Sequence, residues 1–255
     1  EINNKNSISQ KIYGGVIQYQ KNNLNIGAIA YHNAFNHKFI TGDQAYRAYH
    51  FKGNALTNLG INYNYTFKNI YFFGEGAKSS NNGYAYLNGA LISLSSKISA
   101  AVLHRSYDKD YHNFFNQAIA EASEAFNEKG FYAGLNINPT KAWNISLYAD
   151  YFKFPWLKFR IDAPSDGYEV LAQLTYSPTK TFKAFLRYKS EIKQQNTDLE
   201  VAVNYLDQVK RESYRLDANW RLNKLISLQN RLEVSQYKKE NVKEKSCVKI
   251  FVQIN

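Results

Sequence analysis

The sequence between Gly130 and Glu191 contains two consecutive segments with the same plan, which is an alternating apolar and polar run, a tight turn, and a second alternating run. The turns are 138–141 (Asn-Pro-Thr-Lys) and 177–180 (Ser-Pro-Thr-Lys). Alternation with a period of two residues indicates β-strands that have one apolar face. The runs after the turns, 144–153 and 183–190, have roughly eight to ten residues each, whereas strands of soluble proteins have about 5–6.

The length of these strands favours a membrane protein. A strand of ten residues at about 3.3 Å per residue, tilted by about 45°, spans about 23 Å, which is close to the apolar band of an outer-membrane barrel. The alternation recurs along the whole chain and gives about 13–14 strands. We therefore predict an all-β fold, a transmembrane antiparallel up-and-down β-barrel, with 1–255 as a single outer-membrane domain. Because single-chain bacterial barrels close with an even strand number, an N-terminally truncated piece of a larger barrel is the alternative.

The predicted links between strands alternate strictly between short and long. Short links are predicted at Lys21, Lys68, Lys97, Lys141, Lys180 and Lys224, with a longer link at each intervening position. Within the long link 36–53, the run 46–51 predicts a strand extending beyond the membrane. Outer-membrane barrels have short periplasmic turns and longer external loops, whereas a soluble β-sandwich has no reason to sort its links. We therefore expect five lysines on one rim, where anionic headgroups would attract them, with ordinary turn polarity as the alternative: Lys68, Lys97, Lys141, Lys180 and Lys224.

The composition agrees with a barrel and excludes other classes. The chain has 255 residues, a mean hydropathy of -0.52, 16% aromatic residues and a net charge of +11. No apolar run approaches the ~18 residues that a transmembrane helix needs, so a helical membrane protein is excluded. The single cysteine, Cys247, excludes a disulfide framework and a zinc site built from cysteines.

Charged residues on the alternating runs define the face that must avoid lipid. The predicted lumen-lining residues are Asp150, Arg187, Lys189, Arg215, Asp217, Arg221, Arg231 and Glu233. Lys or Arg at the bilayer midplane costs roughly 2–4 kcal/mol, so several such groups facing lipid would exceed a domain's stability of about 5–15 kcal/mol. The opposite faces are apolar, with Tyr and Trp near the strand ends, as aromatic girdles require. Basic residues outnumber acidic ones on the late strands, which favours an anion-preferring lumen.

Two predicted loops carry more than ordinary loop polarity. The longest, 108–127, has Ile119, Ala122 and Phe126 at helical spacing, which predicts a short helix. The loop 154–167 begins with the aromatic and basic segment Phe-Pro-Trp-Leu-Lys-Phe-Arg. We expect this segment to be a plug, a lid or a docking site, or to continue a strand above the membrane. The predicted docking residues are Phe114, Phe115, Trp156, Lys158 and Arg160.

No constellation of residues predicts catalysis or a bound metal. The sequence lacks a glycine-rich phosphate loop, a His-Glu-x-x-His motif and a Gly-x-Ser-x-Gly motif. His104 and Ser106 share one face of a predicted strand, where a nucleophile and a base could meet. Asp108, Asp110 and His112 open the longest loop, where oxygen ligands would suit a cation. Ordinary surface polarity explains both groups more simply, so we predict no enzyme activity, no catalytic or metal residues and no cofactor.

Three segments resemble a known family. These are 108–115 (Asp-Lys-Asp-Tyr-His-Asn-Phe-Phe), 127–130 (Asn-Glu-Lys-Gly) and 154–167. They resemble the C-terminal β-barrel of Bacteroidetes outer-membrane proteins that are often described as helix-hairpin-helix domain-containing, and the resemblance extends over residues 54–245. The helix-hairpin-helix domain, of the kind found in competence DNA receptors, is not part of the resembling region. The resemblance implies a barrel in a Gram-negative outer membrane and a link to nucleic-acid handling.

These observations lead to two main hypotheses about function. The first is an outer-membrane channel or transport component that favours anions or takes part in nucleic-acid uptake. The second is a non-conducting barrel whose long extracellular loops dock a partner protein or a surface ligand. A barrel enzyme that uses His104 and Ser106 is the least favoured hypothesis. The expected partners are membrane lipids, other outer-membrane or periplasmic proteins and, through the family resemblance, nucleic acid.

Overall fold

The computed structural model describes residues 7–197, 205–223, 225–240 and 245–254. These residues form a 13-stranded sheet in which strands follow one another in chain order and neighbours run antiparallel. The strands are β1 (Gln10–Lys21), β2 (Leu24–Phe39), β3 (Gly53–Phe67), β4 (Ile70–Ser79), β5 (Tyr84–Ser95), β6 (Ile98–Tyr107), β7 (Glu128–Ile137), β8 (Trp143–Phe154), β9 (Ser165–Thr179), β10 (Phe182–Asn196), β11 (Leu206–Arg221), β12 (Ser227–Lys239) and β13 (Lys245–Ile254). A short 3-10 helix, Ala45–Arg47, lies between β2 and β3. The predicted all-β antiparallel meander is confirmed.

Helices contribute little to the described part of the chain. Among the residues described, no helix has the length and apolar character needed to cross a membrane.

The chain divides into two compact regions. The first region comprises Glu1–Ala90, Leu103–Gly130 and Lys153–Phe159, and the second comprises Leu91–Val102, Phe131–Phe152 and Arg160–Asn255.

Tight turns join successive strands on the side of the short links. Asn22 and Lys68 begin two-residue links and both adopt a left-handed φ of 52°, which Asn adopts more readily than most residues. The predicted strict alternation of link length is wrong, because the link 80–83 on the long side is shorter than the link 138–142 on the short side. The predicted short link at Lys224 lies outside the described residues.

In the second region, the strand register separates an apolar face from a charged face. One apolar row consists of Leu174, Leu186, Leu216, Leu232 and Ile250. These side chains are exposed, as lipid-facing side chains of a barrel are when the lipid is removed. Aromatic pairs border this face at both ends, namely Trp143 with Tyr176 (4.5 Å between centroids), Phe182 with Trp220 (6.4 Å) and Tyr188 with Tyr214 (5.0 Å). The arrangement has the form of the two aromatic girdles of membrane proteins.

The strand predicted at 46–51 is wrong. The N–H groups of Arg47, Ala48 and His50 donate to carbonyls three residues earlier and form helical turns. Farther along the chain, β10 continues past Ile192 to Asn196, because its backbone remains paired with β11 through polar positions.

The short helix predicted within 108–127 is also wrong, as these residues form turns and bends. The Glu128 carboxylate accepts hydrogen bonds from the backbone N–H groups of Glu121, at 2.9 and 3.0 Å, and of Ala122, at 3.1 Å. Tyr107 Oη donates to the Ile119 carbonyl at 2.8 Å. These side chains bind the backbone groups that a helix would use, so the apolar spacing does not produce one.

Candidate functional site

The long loop (residues 108–127) lies on the polar face of β2, β3 and β4. Tyr31, Asn58 and Ser79 are register partners and form one row on this face. Tyr31 Oη donates to Asn113 Oδ1 at 2.6 Å. Asn58 Nδ2 donates to the His112 carbonyl at 2.7 Å, and the His112 N–H donates to Ser79 Oγ at 3.4 Å. One row of strand side chains therefore fixes the loop at residues 112 and 113.

Close packing holds the same loop against β4 and β5. Tyr107 and Tyr111 are buried together with Ala85 and Ala125. The loop backbone passes so close to Gly83 that a Cβ atom at this position would lie 2.2 Å from the Tyr111 N and Cα atoms. Real Cβ atoms do not approach a backbone this closely, so the loop position requires glycine at residue 83.

A buried ion pair supports the far end of the long loop. Arg105 Nε lies 2.6 Å from Glu128 Oε1, and both side chains are fully buried. The Arg105 guanidinium also packs against Gly130, where an added Cβ would lie 2.4 Å from Cζ. Because the same carboxylate binds the N–H groups of Glu121 and Ala122, loss of the Glu128 charge would weaken both the ion pair with Arg105 and the hydrogen bonds to the loop backbone.

The loop between β8 and β9 joins this assembly through Trp156. The Trp156 N–H donates to Asn127 Oδ1 at 2.8 Å, and Asn127 Nδ2 donates to the Trp156 carbonyl at 3.0 Å. The indole packs edge-on against Tyr49 (4.9 Å between centroids) and donates from Nε1 to the Ala45 carbonyl at 3.1 Å. Lys109 Nζ lies 4.0 Å from the Tyr49 ring centroid and 4.8 Å from that of Trp156, which is cation–π geometry. Three loops are therefore linked through one tryptophan.

Phe114 packs in an aromatic cluster and is 40% exposed. Its ring lies 5.0 Å from Phe35, 5.7 Å from Phe39 and 5.3 Å from Phe51 between centroids. The contacts with Phe35 and Phe51 are edge-on, a geometry that is favourable beyond the burial of apolar area. Phe114 therefore connects the long loop to β2 and to the residues before β3.

The structure places the five predicted docking residues in different settings. Phe114 and Trp156 hold loops together, as described above. Phe115 is 54% exposed and contacts Tyr31 edge-on at 6.0 Å, and Lys158 Nζ lies 3.3 Å from the Phe154 ring centroid. Arg160 belongs to the second region, is exposed and has a φ of 63°. A docking role for these residues stays a prediction.

Two histidines lie where the loops meet, and burial lowers the pKa of both. His112 Nε2 donates to the Tyr49 carbonyl at 2.7 Å. Burial is the main cause that lowers the pKa of His112, while Glu124 and Asp110 raise it. The pKa of His50 is also lowered by burial. Packing of the loops therefore favours the neutral form of both imidazoles.

In the second region, ion pairs connect neighbouring strands on the charged face. The Arg215 guanidinium lies 2.7 Å from Glu233, and Arg231 Nε lies 2.7 Å from Asp217. Both pairs join opposite residues of β11 and β12, and Lys189 Nζ lies 2.7 Å from Glu169. The charges are paired along the sheet, which reduces their field at a distance.

Arg187 differs from these paired residues. Its Nε donates to the amide oxygen of Gln173 at 2.7 Å, and within the described part of the chain it has no carboxylate partner. Arg187 lies opposite Arg215. The full row, Gln173, Arg187, Arg215, Glu233 and Lys249, has three basic side chains and one carboxylate. Positive charge is therefore in excess along this row.

The register brings seven of the eight predicted lumen residues onto one face of β10, β11 and β12. These are Arg187, Lys189, Arg215, Asp217, Arg221, Arg231 and Glu233. Arg221 is exposed at the end of β11, and Asp150, the eighth residue, is partly buried on β8. That these residues line a lumen stays a prediction.

The structure gives the remaining candidate residues local roles. Ser106 is buried, whereas His104 is exposed and lies 5.8 Å from the Tyr86 ring between centroids. Asp108 Oδ2 accepts from the Tyr84 N–H at 3.1 Å. Among the described residues, no group of three or more His, Cys, Asp or Glu side chains is arranged to hold a metal ion.

Sequence reasoning missed the residues that position the long loop. Asn58 and Ser79 look like ordinary polar positions of alternating strands, and their partners on the loop lie 54 and 33 residues away. Arg105 offers one signal, because it stands between Leu103 and Tyr107 on the same face of β6, and a charge in that position requires a partner.

Several known structures are similar to this chain. Pseudomonas aeruginosa OpdQ is similar over 96% of this chain and 72% of its own, with a TM-score of 0.50 and 11% identity. Acinetobacter baumannii OccAB4 is similar over 95% of this chain and 64% of its own, with a TM-score of 0.49 and 11% identity. The NanC porin covers 78% of this chain and 93% of its own, with a TM-score of 0.36 and 12% identity. No protein-family model matches the sequence, and no curated protein sequence matches it.

The likeness to OpdQ shows a porin-like fold, that of an outer-membrane β-barrel. The long antiparallel strands, the exposed apolar face and the bordering aromatic pairs agree with this fold. The protein is therefore a β-barrel protein of the bacterial outer membrane, and the predicted location is confirmed.

Proposed function

We propose that the protein is an outer-membrane channel for small anionic solutes, in which the long loop narrows the passage. We further propose that residues 1–255, with their thirteen described strands, form one barrel domain. The observation that carries it is the anchoring of the loop to the row Tyr31, Asn58 and Ser79. In a porin-like barrel, the strand face opposite the lipid face borders an aqueous interior. A loop that lies on this face occupies part of the cross-section and limits the size of solutes that pass.

The preference for anions rests on the second region. Arg187 has an amide partner in place of a carboxylate, so its charge is not neutralised locally. Arg215 lies beside it, and its charge is offset by Glu233. A positive potential in a narrow aqueous space raises the local concentration of anions within a Debye length of about 8–10 Å.

Single-channel recording in planar bilayers tests the role of the loop. The double variant Tyr31→Phe, Asn58→Ala removes two anchors of the loop and is expected to raise the conductance or to cause rapid fluctuations between levels. Tyr65→Phe is the matched control, because Tyr65 lies on the opposite face of β3 and loses the same hydroxyl group as Tyr31. Unchanged conductance in the double variant would contradict a loop that narrows the channel.

Reversal potentials test the charge preference with two opposite changes. Arg187→Gln removes a cation that has no carboxylate partner among the described residues and should lower the anion-to-cation permeability ratio by about twofold. Glu233→Gln leaves Arg215 without its carboxylate and should raise the ratio. If the anion-to-cation permeability ratio is the same in both variants and in the wild type, the proposed anion preference is contradicted.

The family resemblance extends the proposal to nucleic acid. We infer that a barrel of the Bacteroidetes family type takes part in nucleic-acid uptake, with the excess positive charge attracting the polyanion. A single-stranded oligonucleotide added to the long-loop side should then block the anion current at micromolar concentration. Absence of block leaves a channel for small anions alone.

If bilayers that contain properly folded protein show no conductance, the channel proposal is contradicted and a docking function takes its place. The exposed side chains of Phe115 and Arg160 are then the first to change, since partner surfaces are enriched in aromatic and arginine residues. Partners of this kind include other outer-membrane or periplasmic proteins. Folding in these samples is checked by the shift in gel mobility on boiling.

A further inference from the structure

The face of β1 to β4 opposite the long loop contains a groove that is almost entirely apolar. Its volume is about 740 Å³, and its lining includes Gly15, Ile17, Ala28, Ala30, Leu59 and Ile61. The register explains its shape, because small residues on one strand lie opposite large residues on the next. Ile17 lies opposite Ala28, and Ala28 lies opposite Ile61. Ile17 and Ile61 are 77% and 64% exposed and form the walls.

Two glycines leave the floor of this groove open. A Cβ atom added at Gly15 or Gly76 would meet no other atom within 4 Å. Glycines on the other face of the same strands have no such space, since a Cβ at Gly14 would lie 2.6 Å from Tyr31 Cβ and one at Gly60 would lie 2.9 Å from Ile29. The empty space is therefore a property of the lipid-facing side and not of loosely packed strands.

Polar groups begin directly above the groove, on the side of the long loops. Tyr13, His32 and Thr57 are register partners in the next row on the same face. The Tyr13 and His32 rings stack at 6.4 Å, and His32 Nδ1 lies 2.8 Å from Thr57 Oγ1. These side chains form a band of aromatic and polar groups at the end of the apolar surface. Such groups are typical of the membrane–water interface at the level of the lipid headgroups.

Lys78 places a positive charge at the same end of the groove. It lies opposite Leu59 in the register and belongs to the groove lining. Its Nζ lies 4.9 Å from the centroid of the Tyr84 ring, in cation–π geometry. A lysine on a lipid-facing surface is costly unless it reaches the interface, and here the strand end brings it there. Its charge is complementary to a phosphate group at the outer surface of the membrane.

We propose that this groove is a binding site for a phosphorylated acyl lipid of the outer leaflet. The acyl chains occupy the space above Gly15 and Gly76, between Ile17 and Ile61. The phosphate binds Lys78 Nζ, with the hydroxyl of Thr57 and the imidazole of His32 beside it as further polar groups. Long loops mark the external side of outer-membrane barrels, so the headgroup end of the groove faces the outer leaflet. The site is independent of whether the protein conducts.

Native mass spectrometry of the full chain in detergent, after removal of co-purified lipid, tests this site. The probes are lipid A with two phosphates and lipid A from which the phosphates have been removed. The wild type should retain the phosphorylated form about tenfold more tightly, since a charge-assisted contact is worth one to two powers of ten in affinity. Equal retention of the two probes would overturn the assignment of Lys78 to the phosphate.

Two variants separate the two parts of the site. Lys78→Gln should lower retention of the phosphorylated lipid about tenfold, and Lys78→Arg should restore it. Lys52→Gln is the matched control, because Lys52 is exposed in a link of the same region and is not part of the groove. The double variant Gly15→Leu, Gly76→Leu fills the open floor and should abolish retention of both lipids.

Each remaining outcome also decides the proposal. Unchanged retention in the double leucine variant overturns the groove as the acyl site. Displacement of lipid by millimolar inorganic phosphate would show a phosphate site without a lipid requirement and would overturn the proposal as well. Folding of every variant is verified by the change in gel mobility on boiling. If the leucine variant does not fold, Lys78→Gln and its rescue by arginine decide the outcome.

Discussion

The two regions of the molecule treat the polar faces of their strands in opposite ways. In the first region, neutral side chains such as Asn58 and Ser79 are buried under the long loop and bind its backbone. In the second region, the same kind of face carries partly exposed arginines and carboxylates that pair between strands. Amides and hydroxyls satisfy backbone groups without water, whereas charges require water or a partner of opposite charge. The chemistry of the strand face therefore decides whether a loop covers it.

The ion pair between Arg105 and Glu128 in the loop assembly follows the same rule. Arg105 and Glu128 are fully buried, so each depends entirely on the other and on hydrogen bonds. Arg215 and Glu233 are partly exposed and retain contact with solvent. Water replaces a lost partner in the second case but not in the first.

The largest expected effect follows from this difference. Glu128→Gln removes the carboxylate charge that pairs with the fully buried Arg105 and should lower the free energy of unfolding by about 3–5 kcal/mol. Glu233→Gln, the matched change in the second region, should cost about 0–1 kcal/mol because the pair is partly exposed. Urea unfolding in detergent, followed by tryptophan fluorescence, measures both values. Equal losses would show that burial does not distinguish the two pairs.

A glycine substitution should loosen the loop without changing any charge. Gly83→Ala places a Cβ atom 2.2 Å from the Tyr111 backbone, and overpacking of this kind costs about 1–3 kcal/mol. Hydrogen exchange should increase in residues 108–127 and stay unchanged in β11. Gly76→Ala is the control, since the added Cβ has no neighbour within 4 Å. Faster exchange in the control, or none in Gly83→Ala, would contradict the close approach as its cause.

The strands and their faces could be predicted from the sequence because both are local properties. The apolar positions around Leu174 and Leu186 recur at every second residue of their strands, which is the period of a β-strand. Charge in lipid is costly, so the apolar side of such a strand can be assigned to the lipid without knowledge of any distant contact. The aromatic residues at the ends of these strands could also be identified from the sequence, because their position within a strand is a local property. The sequence therefore predicts the fold, the membrane and the division into two faces.

The position of the long loop could not be predicted, because it depends on contacts between distant segments. The row that anchors the loop joins Tyr31, Asn58 and Ser79 from three strands with residues 112 and 113. The apolar spacing of 119–126 indicates a helix, but Glu128 binds the N–H groups of that segment. The pairing of Arg215 with Glu233 likewise depends on the register of β11 and β12. The positions of basic and acidic residues in the sequence do not specify this register.

The smallest expected effect is a dependence of the loop on pH, and it should appear only in the first region. Burial lowers the pKa of His112 from the ordinary value of 6.5. A displaced loop binds a proton near pH 6.5, whereas the packed loop binds it only at lower pH. Loop packing is therefore fully stable above about pH 6.5 and weakens as the pH falls below that value. The hydrogen bond to the Tyr49 carbonyl, followed by the Glu124 and Asp110 carboxylates, raises the pKa and opposes the effect of burial.

Limited proteolysis within residues 108–127, measured between pH 8 and 5, tests this dependence. The pH dependence of the protease itself is measured on a denatured substrate and used to correct the cleavage rates. Cleavage of the wild type should become faster below about pH 6.5, while β11 and β12 stay protected. His112→Gln keeps an N–H donor for the Tyr49 carbonyl but has no proton to bind, so its cleavage should not change through this range. His50, whose pKa burial also lowers, gives the second variant, His50→Gln. If the pH dependence persists in the double variant of both histidines, a group other than these imidazoles controls the loop.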